Sequence, residues 1–251
     1  MGLIIDDGLV IVDHNATEHL NTTRDGNPTQ SKLDDLLVHS VFKRLKNSAK
    51  FSKDRQQKVI GDNCPLIYAV KGSDGLSTNV TSTKRLLEHT QGIISDICEK
   101  IDGEVDGVVA MPSSFPLANW LAKRVQRETG LPIFNDVFRK STKIEAATRA
   151  VALTPPRTAG IGKEQRKQLK NAVKKVQKIE GDIYAAKVVS PSLRAFFDPI
   201  QWQGLDCPNT HRLLLVDDLL ASGGTFLAAK SLLEAHGWVS PLHSVTWFSA
   251  V

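Results

Sequence analysis

The sequence contains no apolar stretch approaching the roughly 20 residues that a membrane-spanning helix requires. The segment Met1 to Asp7 has neither a basic start nor a long apolar run, so no secretory leader and no membrane association are expected. Cysteine is scarce: Cys64, Cys98 and Cys207 are widely separated, odd in number and outside any CxxC pair. That pattern speaks against a disulfide scaffold and a structural zinc site, and for a reducing, cytoplasmic setting. Aromatic residues make up only 6% of the chain, and Phe196, Phe197, Trp202, Trp238 and Trp247 are read as packing residues rather than base-stacking platforms. His14, His39, His89, His211, His236 and His243 stand at no metal-ligand spacing, and none is read as catalytic. Repeats and low-complexity tracts are absent, which excludes solenoid and fibrous classes.

What is present suits a globular α/β protein. A length of 251 residues with 41% hydrophobic and 24% charged residues accommodates one good-sized domain with an elaboration. The net charge of +5 is unevenly spread. Between Arg139 and Lys178 only Glu145 and Glu164 oppose a dense run of lysine and arginine. Within that run, Leu169, Ala172, Val173, Val176 and Ile179 recur at helical spacing, predicting a helix over 164–179. Lys163, Arg166, Lys167, Lys170, Lys174 and Lys178 then fall largely on the opposite face. Charge runs are usually solvated faces, yet a continuous basic face also suits nucleic acid, a polyphosphate or an acidic protein partner.

Along the chain, Leu3 to Val12 reads as a β-hairpin turning at Asp7-Gly8. Residues 14–30 read as loop. Ser31 as an N-cap, followed by Leu33, Leu36, Leu37, Val41 and Leu45, predicts a helix to about residue 47. Residues 1–60 are therefore expected to form a hairpin-plus-helix addition, and 61–251 the main domain. In that domain Leu66–Val70 reads as a strand, Lys84–Ile101 as an amphipathic helix and Gly107–Met111 as a strand. A helix opens at Pro116, carries Leu117, Trp120, Leu121 and Val125 as its apolar stripe, and closes at Gly130. Residues 181–210 resist assignment and look like an insertion. Arg212–Val216 reads as a strand, Gly224–His236 as a helix and His243–Phe248 as a last strand. Alternation of this kind predicts a central, mainly parallel sheet with helices on both faces.

One segment carries chemistry. Asp217-Asp218-Leu219-Leu220-Ala221-Ser222-Gly223-Gly224-Thr225 lies at the carboxyl end of a buried strand and opens a helix, where open parallel sheets bind ligands. Gly223 and Gly224 let the backbone approach an oxyanion, Ser222 and Thr225 add hydroxyl donors, and the helix start offers unpaired N–H groups. A generic Rossmann-like turn is the bland alternative. A receiver domain would place its acidic pair early and without SGGT.

This pattern resembles the type I phosphoribosyltransferases. In order, Leu66-Ile-Tyr-Ala-Val-Lys71, Val108-Val-Ala-Met-Pro112-Ser-Ser, Glu128-Thr-Gly130-Leu-Pro and Thr154-Pro-Pro-Arg-Thr-Ala-Gly160 resemble the ComF-like members, over about residues 65–251. The resemblance implies binding of 5-phosphoribosyl 1-diphosphate (PRPP) with Mg²⁺ and transfer of the phosphoribosyl group to an acceptor with release of pyrophosphate. Asp217 and Asp218 would hold ribose hydroxyls and metal, and Ala221, Ser222, Gly223, Gly224 and Thr225 the 5′-phosphate. Pyrophosphate would face Ser113, Ser114 and Lys71. Active members often carry a cation in the pyrophosphate loop, whereas Ser113 to Leu117 is uncharged. The alternative is therefore a weakly active or inactive nucleotide-binding effector, acting in DNA uptake or in a bacterial defence module such as a retron. Dimers are common in that family. The acceptor carries no signature here.

Overall fold

The structure, a computed structural model, describes residues 2–45, 64–153 and 162–249. The stretch Thr154–Gly160 lies outside them. The chain divides into two compact units: Met1–Ile133 with Arg212–Ala221 and Pro241–Val251, and Phe134–His211 with Ser222–Ser240.

The first unit begins with β1 (Gly2–Asp6) and β2 (Leu9–Asp13), an antiparallel hairpin in which Asp6 pairs with Leu9. The turn is as expected: Asp7 and Gly8 take φ of 42° and 79°, the left-handed pair this tight turn demands. Gly8 is doubly required, because a Cβ there would stand 2.8 Å from the Gly75 carbonyl oxygen. Next come β3 (Thr29–Leu33) and β4 (Leu36–Lys43), where a helix was expected. A strand covered on both faces shows a nearly continuous apolar run, so the spacing of Leu33, Leu36, Leu37 and Val41 was ambiguous. The missed sign is Asp34-Asp35. Asp34 takes φ 54° in a two-residue turn, and Leu33 pairs across it with Leu36.

Pro65–Val70 forms the short helix α1, correcting the expected strand. Pro65 stands in its first turn, a helix-start signal that outweighs the β-like composition of the run. Then follow β5 (Ser77–Thr78), α2 (Val80–Ile101), β6 (Gly107–Ala110), α3 (Leu117–Thr129) and β7 (Ile133–Phe134). Asn79 caps α2 through Ser82 N–H, and Gly130, at φ 75°, ends α3. β10 (Leu213–Leu220) and β11 (His243–Ser249) complete the unit.

The main sheet has six strands in the order β3-β4-β11-β10-β6-β7. The pairs β4–β11, β11–β10 and β10–β6 are parallel and β3–β4 is antiparallel, so the sheet is mostly parallel. The fold is mixed α/β. Residues expected to form an added helix thus supply sheet strands. Helices α2 and α3 bury Ile93, Ile94, Ile97, Leu121 and Val125 against Val108, Leu214 and Val216. Trp120, expected in the buried stripe of α3, is 51% exposed.

The second unit pairs β8 (Phe138–Lys140) with β9 (Ile200–Trp202) and contains α4 (Lys143–Ala152), α5 (Lys163–Gln177) and α6 (Gly224–Ala235). Helix α4 starts with a reciprocal capping box between Thr142 and Glu145. The Arg139 guanidinium and the Thr142 N–H hold the Glu145 carboxyl down at about 2. Ala146, Ala150, Leu169, Ala172, Val176, Leu193 and Phe197 form this unit's core. Segment 181–210 supplies two short 3₁₀ turns and β9, which build that core rather than hang from it.

Candidate active site

Strand β10 positions the acidic pair by outrunning one neighbour. Its pairing with β6 ends at Val216 opposite Ala110, with Met111 N–H donating to the Val216 carbonyl at 2.7 Å. Its pairing with β11 continues through Leu220 and Ser249. From Asp217 onward, β10 therefore has a partner on one side only, and the β6 side opens just where the chain leaves that strand as Pro112 to Leu117. Side chains alternate across a strand, so Asp217 and Asp218 project to opposite faces. Asp218 follows Leu214 and Val216, which face the α2–α3 core.

The buried Asp218 gathers the site. Lys71, the residue that ends α1, places Nζ 2.7 Å from Asp218 Oδ2, across 147 residues of sequence. Ser113 Oγ donates to the same oxygen at 3.4 Å and accepts the Phe115 N–H at 3.3 Å, which curls the turn after β6 back on itself. Lys71 Nζ also stands 5.5 Å from the centre of the Phe115 ring, a cation–π distance. Asp217 Oδ1 accepts the Asp218 N–H at 2.7 Å. Ser114 is exposed on the same turn. The Lys71 and Asp218 side chains are only 22% and 12% exposed. This is an ion pair in a partly desolvated crevice, where each charge depends on the other.

Sequence reasoning missed two neighbours. Phe115 was noted only as lacking charge, and a ring beside a lysine leaves no local signal. Cys64, the N-cap residue of α1, is buried, and that burial pushes its thiol up to about 11. Lys71 and Asp218 are among the charges it senses, and it is a neutral packing group beside the pair.

Beyond β10, Ala221 and Ser222 are exposed, Gly223 is buried with φ 73°, and α6 begins at Gly224. No side-chain hydrogen bond caps α6 at its start. Thr225 is half-buried in the first turn. A Cβ on Gly224 would meet only Ser222 Oγ, at 3.8 Å.

The basic segment behaves as its spacing implies. On α5, Leu169, Ala172 and Val176 are buried, while Lys167, Lys170, Lys174 and, just after the helix, Lys178 are exposed. Arg166 is half-buried, and Lys163 is the first residue of the helix. Elsewhere, His14, Glu88 and His89 bring their ligand atoms within 4.8 Å of one another, a grouping invisible as a spacing because two elements build it.

Among the described residues no helix is long and apolar enough to cross a membrane. Compared with protein-family models and with curated proteins, the chain matches none.

Proposed function

We propose that this chain binds PRPP and transfers its phosphoribosyl group to an acceptor, in the manner of a type I phosphoribosyltransferase. The observation that carries the reading is the junction of Lys71, Ser113 and Asp218 at the open side of β10, followed directly in the chain by an uncapped, glycine-led helix start. The first group offers a cation, a hydroxyl and a carboxylate, and the helix start offers backbone N–H groups; each is a type of partner that the anions and ribose hydroxyls of PRPP call for.

Breaking the anomeric bond creates positive charge on the ribose and negative charge on departing pyrophosphate, so catalysis rests on orientation and electrostatic stabilisation. Asp218 accepts from the ribose hydroxyls, and Asp217, on the other face of β10, accepts the Asp218 backbone N–H and fixes the strand end that presents it. Ala221 to Thr225 take the 5′-phosphate through N–H and hydroxyl donors. Lys71, Ser113 and Ser114 face the pyrophosphate, and Lys71 moves from the Asp218 carboxylate to the incoming anion as the substrate arrives. Mg²⁺ would be held through the Asp218 carboxylate, on the face shared with Lys71 and Ser113, which leaves most positions to water and substrate oxygens, as this hard cation prefers; Asp217 lies on the opposite face of β10. When bound, the metal neutralises the diphosphate.

Calorimetric titration of PRPP and Mg²⁺ into wild type and Asp217→Asn/Asp218→Asn tests the reading. Micromolar binding lost in the double variant is expected; no binding by wild type overturns it.

A second reading has its own observation. The exposed lysines of α5 and the uncharged turn Ser113 to Leu117 favour a nucleotide-binding effector that engages nucleic acid or an acidic partner. It predicts polyanion binding that weakens steeply with salt, with no pyrophosphate released.

A further inference from the structure

Within the sheet unit, α1, α2, α3 and the end of β11 surround a cavity of about 530 Å³, which is in the range of small-molecule sites. Its wall is apolar: Leu66, Leu86, Leu117, Trp120, Trp247 and Phe248 contribute. Trp120 and Val70, both lining residues, leave 51% and 39% of their surface exposed. Large side chains of this type normally close over a core; here they border an opening.

The polar part of the wall has one sign. Lys123, Arg124 and Arg127 line the same cavity, and no ion pair or side-chain hydrogen bond engages any of them among the described residues. The carboxylate next along α3, Glu128, is committed to Gln91 and Ser95 of α2. Arg124 is half-buried, and both that burial and Arg127 beside it disfavour its charge. Lys123 and Arg127 are exposed, so the three cations form a cluster of one sign at the mouth of the cavity, which an anion would neutralise.

Helical geometry gives the wall a direction. Leu117, Trp120, Arg124 and Arg127 succeed one another at three- and four-residue steps and so share a face of α3. At 1.5 Å per residue, Leu117 and Arg124 lie about 10 Å apart along the axis, and Leu117 and Arg127 about 15 Å. The face is apolar at its start and cationic at its end.

We propose that this cavity binds a small amphiphilic anion. Its apolar body lies between Leu117, Trp120, Trp247 and Phe248, and its carboxylate, sulfonate or phosphate head rests on Arg124 and Arg127. The body spans roughly 10–15 Å. This site is separate in its side chains from the Lys71–Asp218 group and stands whether or not PRPP is the substrate.

The test is calorimetric titration of decanoate, with decanamide as the neutral match, into the full chain. Micromolar decanoate binding is expected, with decanamide about tenfold weaker or worse. Arg124→Gln/Arg127→Gln removes the head contact, and Leu87→Trp, at another lining residue on α2, fills the apolar space while keeping the cations. Each should weaken decanoate by about tenfold or more with the thermal midpoint nearly unchanged. Should Leu87→Trp unfold the chain, Thr83→Phe fills the same space from the rim. Absence of decanoate binding, equal affinity for decanamide, or full affinity in the filled variant overturns the proposal. So does binding to phosphatidylglycerol vesicles without binding of free decanoate, which would make α3 a membrane-surface patch instead.

Discussion

Two regions of this molecule use positive charge in opposite ways. At the end of β10 a single lysine, Lys71, is 22% exposed, 2.7 Å from a carboxylate and beside an aromatic ring. Along α5 several lysines stand in solvent, with the helix held by the apolar stripe beneath them. The first region has little charge, but that charge is placed. The second has much charge and little placement. A placed charge in a partly desolvated crevice can discriminate one ligand from another, whereas a solvated face offers attraction that salt screens.

The largest expected effect comes from breaking the placed pair. Asp218→Ala strips Lys71 of its partner and should cost at least about 100-fold in PRPP affinity, roughly 3 kcal/mol. It should also cost about 1–3 kcal/mol of stability from the uncompensated half-buried cation. Calorimetry and urea titration measure the two separately. If Asp218→Ala binds PRPP as wild type does, the contrast between the regions has no functional content.

On the α5 side, Leu169→Ala should destabilise by about 3 kcal/mol, because Leu169 is 1% exposed in the core shared with α4. A urea midpoint that does not move would mean the stripe is not what holds the helix.

Acid should act through the sheet. His39 Nε2 and His243 Nδ1 are 3.2 Å apart between β4 and β11, and burial, with His243 next, lowers His39 from 6.5 to about 4. The folded state thus favours the neutral ring. This stability is present above pH 6.5 and is lost as pH falls toward 4, on the order of 3 kcal/mol in full. Urea midpoints between pH 7.5 and 4 should fall in wild type, and fall less in His39→Gln.

The smallest effect on stability is expected from Lys167→Gln/Lys170→Gln/Lys174→Gln/Lys178→Gln, within about 0.5 kcal/mol. Polyanion binding through this face would, by contrast, lose salt sensitivity, by up to about 0.9 in logarithmic slope for each phosphate contact removed. An unchanged slope would assign any such binding elsewhere.

Legibility followed the range of the interactions. The hairpin at Asp7-Gly8, the close of α3 at Gly130 and the helices around Ile93, Leu121 and Leu169 obey rules that act over a few residues and could be read, although the Asn79 cap that starts α2 ahead of Lys84 was missed. The helix expected across Ser31 to Leu45 failed because β4 is buried along most of its length, and a strand covered on both faces loses its alternation. The strand expected at Leu66–Val70 failed because five apolar residues fit either periodicity. Of the candidate site, Asp217 to Thr225 was visible as a motif and Lys71 and Ser113 as residues. Their meeting was not visible, and neither Phe115 nor the cavity beside Trp120 left a trace.

By itself, then, the sequence determined what is local: the turns and caps, the amphipathic helices, the strand with its acidic pair and the glycine-led helix start. Tertiary structure alone decided that β10 outruns β6, that Lys71 reaches Asp218 across 147 residues, and that the gap bordered by α2 and α3 carries unpaired cations. The physical reason is the same in each case. Backbone preferences and side-chain spacing are written into neighbouring residues, whereas strand order, desolvation and the distance between remote charges exist only once the chain has packed.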